Sequence, residues 1–143
     1  MQRFSVERVL PAPIETVWAL YTDHKGWAKL LGNIRVELSP EGSPDPNGVG
    51  CVRHIFALGM EMVAEEVTVF EPPTRMKYRV LRGGGPIRNH DGEVLFVAAP
   101  GGTQVTWRVE FEPTIPGLGP AIKAGVRAFF VHFLTRMEAQ LRT

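Results

Sequence analysis

Residues 103–141 read TQVTWRVEFEPTIPGLGPAIKAGVRAFFVHFLTRMEAQL, and the hydrophobic period changes once within them. Val105, Trp107, Val109 and Phe111 alternate with polar residues, so they share one face of a strand over 103–112. Pro113, Pro116 and Pro120 then interrupt the chain. Beyond them Ile122, Val126, Phe129, Phe130, Phe133, Leu134, Met137 and Leu141 recur in steps of one, three and four. Those steps mark one face of an amphipathic helix of about 22 residues, roughly 33 Å long. Lys123, Arg127, Arg136, Glu138 and Arg142 fall mostly elsewhere on its circumference. The chain therefore ends in a long helix with an apolar face to bury, entered from a strand with an apolar face of its own.

Upstream, the period is mostly two. Candidate strands span 49–57, 60–70, 75–82 and 87–98, and Ile34–Leu38 alternates cleanly before them. The breakers are short: Leu58-Gly59, Glu71-Pro72-Pro73-Thr74, Gly83-Gly84-Gly85-Pro86 and Ala99-Pro100-Gly101-Gly102. Short links require antiparallel hairpins, since parallel pairs need long crossovers. The segment 39–48 carries three prolines and two glycines and reads as a long loop. Before it, Ile14, Val17, Trp18 and Tyr21 form the apolar face of a short helix, with Pro13 and Glu15 in its first turn. Asp23 to Leu31 reads as a second short helix, its apolar residues Trp27, Leu30 and Leu31 and its stop Gly32. Residues 4–10 form a first strand. The order is one strand, two short helices, six strands and a long helix: an α+β chain that reads as one domain over 1–143.

Composition narrows the function. Sixteen basic and fifteen acidic residues leave a formal charge of +1, without the positive stripe that nucleic acid demands. A single cysteine, Cys51, rules out an intramolecular disulfide and makes a reducing compartment the default expectation. The N-terminal residues lack an apolar leader core, and no apolar run approaches the length of a membrane span, so a cytoplasmic protein without an integral membrane segment is expected. His24, His54, His90 and His132 lack metal-ligand spacing. Gly83-Gly84-Gly85-Pro86 joins two strands, without the helix N-terminus of a phosphate loop. Glu65 and Glu66 are adjacent on a strand and face opposite sides. No metal and no cofactor are expected.

Six strings occur in order: Pro-Ala-Pro-Ile-Glu-Thr-Val-Trp (11–18), Gly-Val-Gly-Cys-Val-Arg (48–53), Glu-Glu-Val-Thr-Val-Phe-Glu-Pro-Pro (65–73), Met-Lys-Tyr-Arg-Val (76–80), His-Asp-Gly-Glu-Val (90–94) and Gly-Thr-Gln-Val-Thr-Trp (102–107). With the element order, they give a chain that resembles the START-domain and Bet v I-like superfamily (SRPBCC), most closely its polyketide cyclase/dehydrase branch. The resemblance covers nearly the whole length. It implies the helix-grip fold, a seven-stranded curved antiparallel sheet wrapped around the long C-terminal helix. It leaves the activity open, because the superfamily holds carriers, hormone receptors, cyclases and partner-binding modules.

A sheet of seven strands around one helix leaves a space that is either just filled or holds one small ligand. Strand parity puts Met76, Tyr78 and Val80 on one face, Val94 and Phe96 on another, and Val63, Val67 and Val69 on a face with Glu65. If Cys51 and Ile55 face inward, so does Arg53. The resemblance supports that orientation, since relatives often place a basic residue there, pointing into the pocket. Arg53 and Glu65 then pair across a hairpin inside the cavity; on a twisted or bulged strand both reach solvent instead. His90 shares parity with Gly92, Val94 and Phe96, and is either a proton-exchanging cavity group or a satisfied rim histidine. Tyr78 offers a hydroxyl on an apolar wall, and Trp27, Met60 and Met62 are expected near the mouth. The candidate ligand-binding set is Arg53, Ile55, Glu65, Val67, Met76 and Tyr78 from the sheet's first half. His90, Phe96 and Trp107 join it from the last strands, and Val126, Phe130 and Phe133 from the long helix. For each of these, ordinary core packing is the alternative.

Three functions fit. The first is a binding protein for an apolar or aromatic molecule, polyketide-, lipid- or quinone-like. The second is a cyclase, aromatase or dehydratase in which Arg53 stabilises an enolate while His90 or Glu65 moves protons. The third is a protein-partner module, and either a monomer or a homodimer is compatible with all of them. Replacing Arg53 with alanine is expected to weaken an anionic or carbonyl ligand and to leave the fold intact.

Overall fold

The computed structural model describes residues 1–143. Strand β1 (Gln2–Leu10) leads into helix α1 (Ile14–Thr22), a 3-10 turn (His24–Gly26) and helix α2 (Trp27–Leu31). Then come β2 (Arg35–Leu38), β3 (Val52–Ala57), β4 (Met60–Glu71), β5 (Arg75–Gly83), β6 (Ile87–Ala99), β7 (Gly102–Pro113) and the long helix α3 (Gly119–Leu141). The strands form one antiparallel sheet in the order β1-β7-β6-β5-β4-β3-β2, as short hairpin links require. The sheet curves around α3, as the period change at 103–141 implies. No helix is long and apolar enough to cross a membrane.

Two boundaries differ from the sequence expectation, each for a local reason. The helix expected over Asp23–Leu31 is divided. Asp23 Oδ1 accepts a 3.3 Å hydrogen bond from the Gly26 N–H, which tightens the first turn to 3-10 geometry before α2 starts. A Cβ at Gly26 would lie 2.8 Å from the Asp23 carboxyl carbon, so a larger residue would displace this capping carboxylate. The strand expected from residue 49 begins at Val52, because Gly50 has φ +89° and the Cys51 N–H bonds back to the Gly48 carbonyl.

Parity holds along β3 but not throughout β4. Against β5, the pairs Ala64–Arg82 and Glu65–Val80 skip Leu81, and the pairs Val67–Tyr78 and Val69–Lys77 skip Thr68. The second bulge inverts the faces. Phe70, opposite Met76, turns inward and packs on Trp18 at 5.2 Å between ring centroids, while Val69 falls on the other face, opposite Lys77. The expectation that Val69 shares a face with Val63, Val67 and Glu65 is thereby corrected: each bulge adds one residue to a period of two.

The concave face is filled unevenly. Toward α1 and α2, Tyr21 packs on Trp27, Phe96, Trp107 and Phe133 within 5.9 Å, and Trp18 packs on Phe96 at 5.1 Å. Phe130 stacks on Trp107 at 3.9 Å with an interplanar angle of 11°. Each such ring, fully buried, contributes about 1.5–3 kcal/mol. Toward the β5–β6 turn the supply of side chains fails. Gly125 of α3 faces that end, and nothing lies within 4 Å of where its Cβ would be.

Candidate functional site

The unfilled end is a cavity of about 360 Å³, lined by 20 residues of which 15 are hydrophobic. Met62 and Phe129 line it and are 48% and 43% exposed, so the mouth lies between the start of β4 and the middle of α3, beside Gly84. The floor is made of buried Trp27, Arg53, Tyr78, Trp107 and Phe111.

Arg53 and Glu65 are paired residues on neighbouring strands, and both face inward. Arg53 Nε donates to Glu65 Oε1 at 2.7 Å, with side-chain exposures of 1% and 13%. The guanidinium carbon lies 4.4 Å from the centre of the Tyr78 ring and 4.6 Å from that of Trp27. Burial, the largest single influence, pulls the Arg53 pKa down. The attraction of Glu65 and its hydrogen bond, with the smaller influences of Tyr21 and Tyr78, together outweigh it, and the net direction is up. The cation is therefore permanent. Nε makes the only hydrogen bond of this side chain: Nη1 is sealed in the interior without a partner, and Nη2, also unbonded, is not sealed.

Tyr78 is fixed by its surroundings. The Trp107 indole N–H donates to its hydroxyl at 2.8 Å, and burial raises its pKa well above the ordinary value. Behind it, the buried Tyr21 hydroxyl has no hydrogen-bond partner, and burial pushes its pKa up to about 12, opposed by nearby Arg53.

His90 sits at a bulge. Between the pairs Arg88–Glu112 and Asp91–Glu110 the β6–β7 ladder breaks, with Asn89 at φ +51°. The regular β5–β6 ladder ends at Tyr78–Gly92, so the Val80 N–H bonds instead to His90 Nδ1 at 3.2 Å. The ring packs 5.3 Å from Tyr78. Burial lowers its pKa, which favours the neutral imidazole, and with Nδ1 accepting, the proton resides on Nε2.

A second buried group lies outside the cavity wall. His24 is fully buried, with Nδ1 3.8 Å from Cys51 Sγ and the ring against Trp27. Burial, then the charge of Arg53, lowers the His24 pKa well below its ordinary value, and burial pushes the Cys51 thiol up to about 11. This is a neutral thiol beside a neutral imidazole, unsuited to nucleophilic work at neutral pH.

These shifts carry a sign. In the unfolded chain His24 and His90 titrate near pH 6.5, and in the folded chain both do so lower. Below pH 6.5 the unfolded chain takes up protons that the folded chain refuses. Stability therefore falls by up to about 1.4 kcal/mol per pH unit for each histidine until the folded pKa is reached. His54 acts oppositely: its pKa is raised, chiefly by its hydrogen bond to Glu61, so it stabilises below pH 6.5. Urea unfolding at pH 7 and pH 5.5 is expected to show a loss for the native chain and a clearly smaller loss for His24→Leu. Equal losses in the two proteins would remove His24 from the account.

Of the twelve candidate ligand-binding residues, Arg53, Ile55, Glu65, Tyr78, His90, Trp107, Val126 and Phe130 line the cavity. Val67, Met76, Phe96 and Phe133 do not. They face inward and are fully buried, but in the packed half toward α1 and α2, where Phe96 meets Trp18 and Phe133 meets Tyr21. Trp27, expected near the mouth, is part of the floor, because the opening lies at the opposite end. Met62 is at the mouth, whereas Met60 is exposed and outside the lining. Apart from Trp27 and Met62, the candidate set left out ten wall residues, among them Ile34, Ile87, Phe111, Gly125 and Phe129. Parity with Trp107 pointed to Phe111; nothing in the sequence marks Gly125 as the place where the core runs out.

Comparison with known proteins agrees with this architecture. The family model described as polyketide cyclase/dehydrase and lipid transport matches residues 1–142. No curated protein matches the chain. Among solved structures, the protein XoxI from Bacillus cereus superposes with a TM-score of 0.80 at 15% identity, covering 99% of this chain and 96% of that one. Ara h 8.0201 superposes with a TM-score of 0.79 at 19% identity, covering 98% and 97%. TTHA0849 from Thermus thermophilus gives 0.70 at 22% identity, with 98% and 97% covered. At these identities the structures speak to the fold alone, and the family match speaks to descent. The chain belongs to the polyketide cyclase/dehydrase and lipid transport family of the SRPBCC superfamily.

Proposed function

We propose that the protein binds a small apolar or aromatic molecule, polyketide-, lipid- or quinone-like, in the cavity between sheet and α3. The observation that carries this reading is the composition of the wall: 15 hydrophobic residues of 20 around about 360 Å³, with Arg53, Glu65 and His90 all supplied by strands of the sheet. Contact area supplies the affinity of such a site, and a few fixed polar groups set the orientation. Native mass spectrometry of the purified protein, beside the same sample after denaturation and extraction, tests it. A molecule retained in the folded protein and released only on unfolding is the expected result. A clean apo mass, with no uptake of added aromatic compounds, would overturn the reading.

A second reading, a cyclase- or dehydratase-type enzyme, is favoured by one observation: Arg53, Glu65 and His90 line the same cavity. In that chemistry Arg53 stabilises a developing enolate, Glu65 removes a proton and the His90 Nε2–H protonates or holds an oxygen. Product formation from a flexible polyketide-like substrate, abolished in Glu65→Gln with binding retained, is the outcome that distinguishes it from a carrier.

A further inference from the structure

The polar lining of the cavity is unusual in its balance of charges and donors. Glu65 is the only carboxylate in the lining and Arg53 the only permanent cation, and the two neutralise each other at 2.7 Å. A ligand carboxylate placed there would add a second anion beside Glu65 in a low-dielectric enclosure, where an unpaired charge is strongly disfavoured. What the pair leaves open is donor capacity: Arg53 Nη2 makes no hydrogen bond. The second open donor is the His90 Nε2–H. The Val80 N–H occupies His90 Nδ1, which leaves the proton on Nε2 of a ring that is part of the cavity lining. The Trp107 N–H is already committed to the Tyr78 hydroxyl.

We infer that the cavity selects neutral ligands bearing a carbonyl-type oxygen, received by Arg53 and His90, over carboxylates and over hydrocarbons of the same shape. The inference rests on the binding role proposed above and narrows its ligand class. An oxygen acceptor satisfies donors that a hydrocarbon would leave desolvated and unpaired. It brings no charge for Glu65 to repel.

Three matched probes separate the possibilities: methyl naphthyl ketone, naphthoate and ethylnaphthalene, titrated into the folded protein at neutral pH and followed by two-dimensional amide NMR. The ketone is expected to bind about tenfold or more tightly than naphthoate, and several-fold more tightly than ethylnaphthalene. In Glu65→Gln the order of ketone and naphthoate should narrow or invert, since Arg53 then lacks its counter-charge. In His90→Phe the ketone should lose its advantage over ethylnaphthalene. Naphthoate binding best to the native protein, or ketone and hydrocarbon binding equally, would overturn the inference while leaving an apolar binding site in place. Failure of all three to perturb the cavity resonances would sink the binding role itself, and the inference with it.

Discussion

Arg53→Met is expected to destabilise the fold by about 3–5 kcal/mol, a Tm fall of roughly 10–15 °C for a chain of this size. The side chain is 1% exposed and holds Glu65 through one short hydrogen bond, between two aromatic rings. Removing it leaves a carboxylate facing a largely apolar wall with no partner, which costs far more than the pair adds while intact. The double variant Arg53→Met/Glu65→Leu is therefore expected to recover most of the loss. The prediction departs from what residue type alone suggested, that Arg53 can be removed without harm to the fold. Burial makes the difference: a solvated arginine could be lost cheaply, this one cannot. Denaturant unfolding of the native protein, both single variants and the double one checks it. A loss under about 1 kcal/mol for Arg53→Met would show that solvent reaches the pair, and the polar anchor of the cavity would go with it. Full loss persisting in the double variant would instead place the energy in the ring contacts.

The sheet and the long helix were legible in the sequence because their signals are periodic and their breakers are glycines and prolines. The change of period after Phe111 located α3, and the short links at Leu58-Gly59 and Ala99 to Gly102 forced the antiparallel order. Parity left the inward orientation of Arg53 conditional on Cys51 and Ile55, and the resemblance favoured it. In the structure Arg53 and Glu65 both face inward, where the β3–β4 ladder is regular. Parity failed at Val69, one bulge further along, because a period of two cannot survive an added residue. It could not place the cavity either. Phe96 has the same inward parity as Trp107, and Phe133 lies on the same apolar helix face as Phe130, yet both lie in the packed half. What separates them is where the aromatic residues of α1 and α2 land on the concave face, a matter of three-dimensional packing that no strand encodes alone. The hydrogen-bonding state of His90 was equally hidden, since it depends on the Val80 N–H losing its ladder partner at a bulge.

Gly92→Ala is expected to cost about 2–5 kcal/mol, although alanine suits a strand better than glycine does. Gly92 lies opposite Tyr78, whose ring crosses directly over it. A Cβ at Gly92 would stand 2.6 Å from Tyr78 Cε1 and 2.8 Å from the hydroxyl oxygen, and it would also overlap Cζ. The ring can give way only into the cavity that it lines, and at a cost. It is 1% exposed, Trp107 holds its hydroxyl, and Arg53 lies over its face. Moving it breaks a buried hydrogen bond and disturbs the seat of the guanidinium, so the penalty combines overpacking with an unpaired indole N–H. Gly92 is not among the residues with positive φ, so backbone strain adds nothing and the cost is steric. That makes a double-mutant cycle decisive. In a Tyr78→Ala background the obstacle is gone, and Gly92→Ala should be neutral or slightly stabilising, giving a coupling energy of about 2 kcal/mol or more. Gly92→Ala should also weaken methyl naphthyl ketone, because a displaced Tyr78 intrudes on the cavity beside Arg53 and His90. Equal penalties in the two backgrounds would mean that the tyrosine ring does not lie over the glycine. Tyr78 would then lose its place as the surface on which the guanidinium and the imidazole are both set.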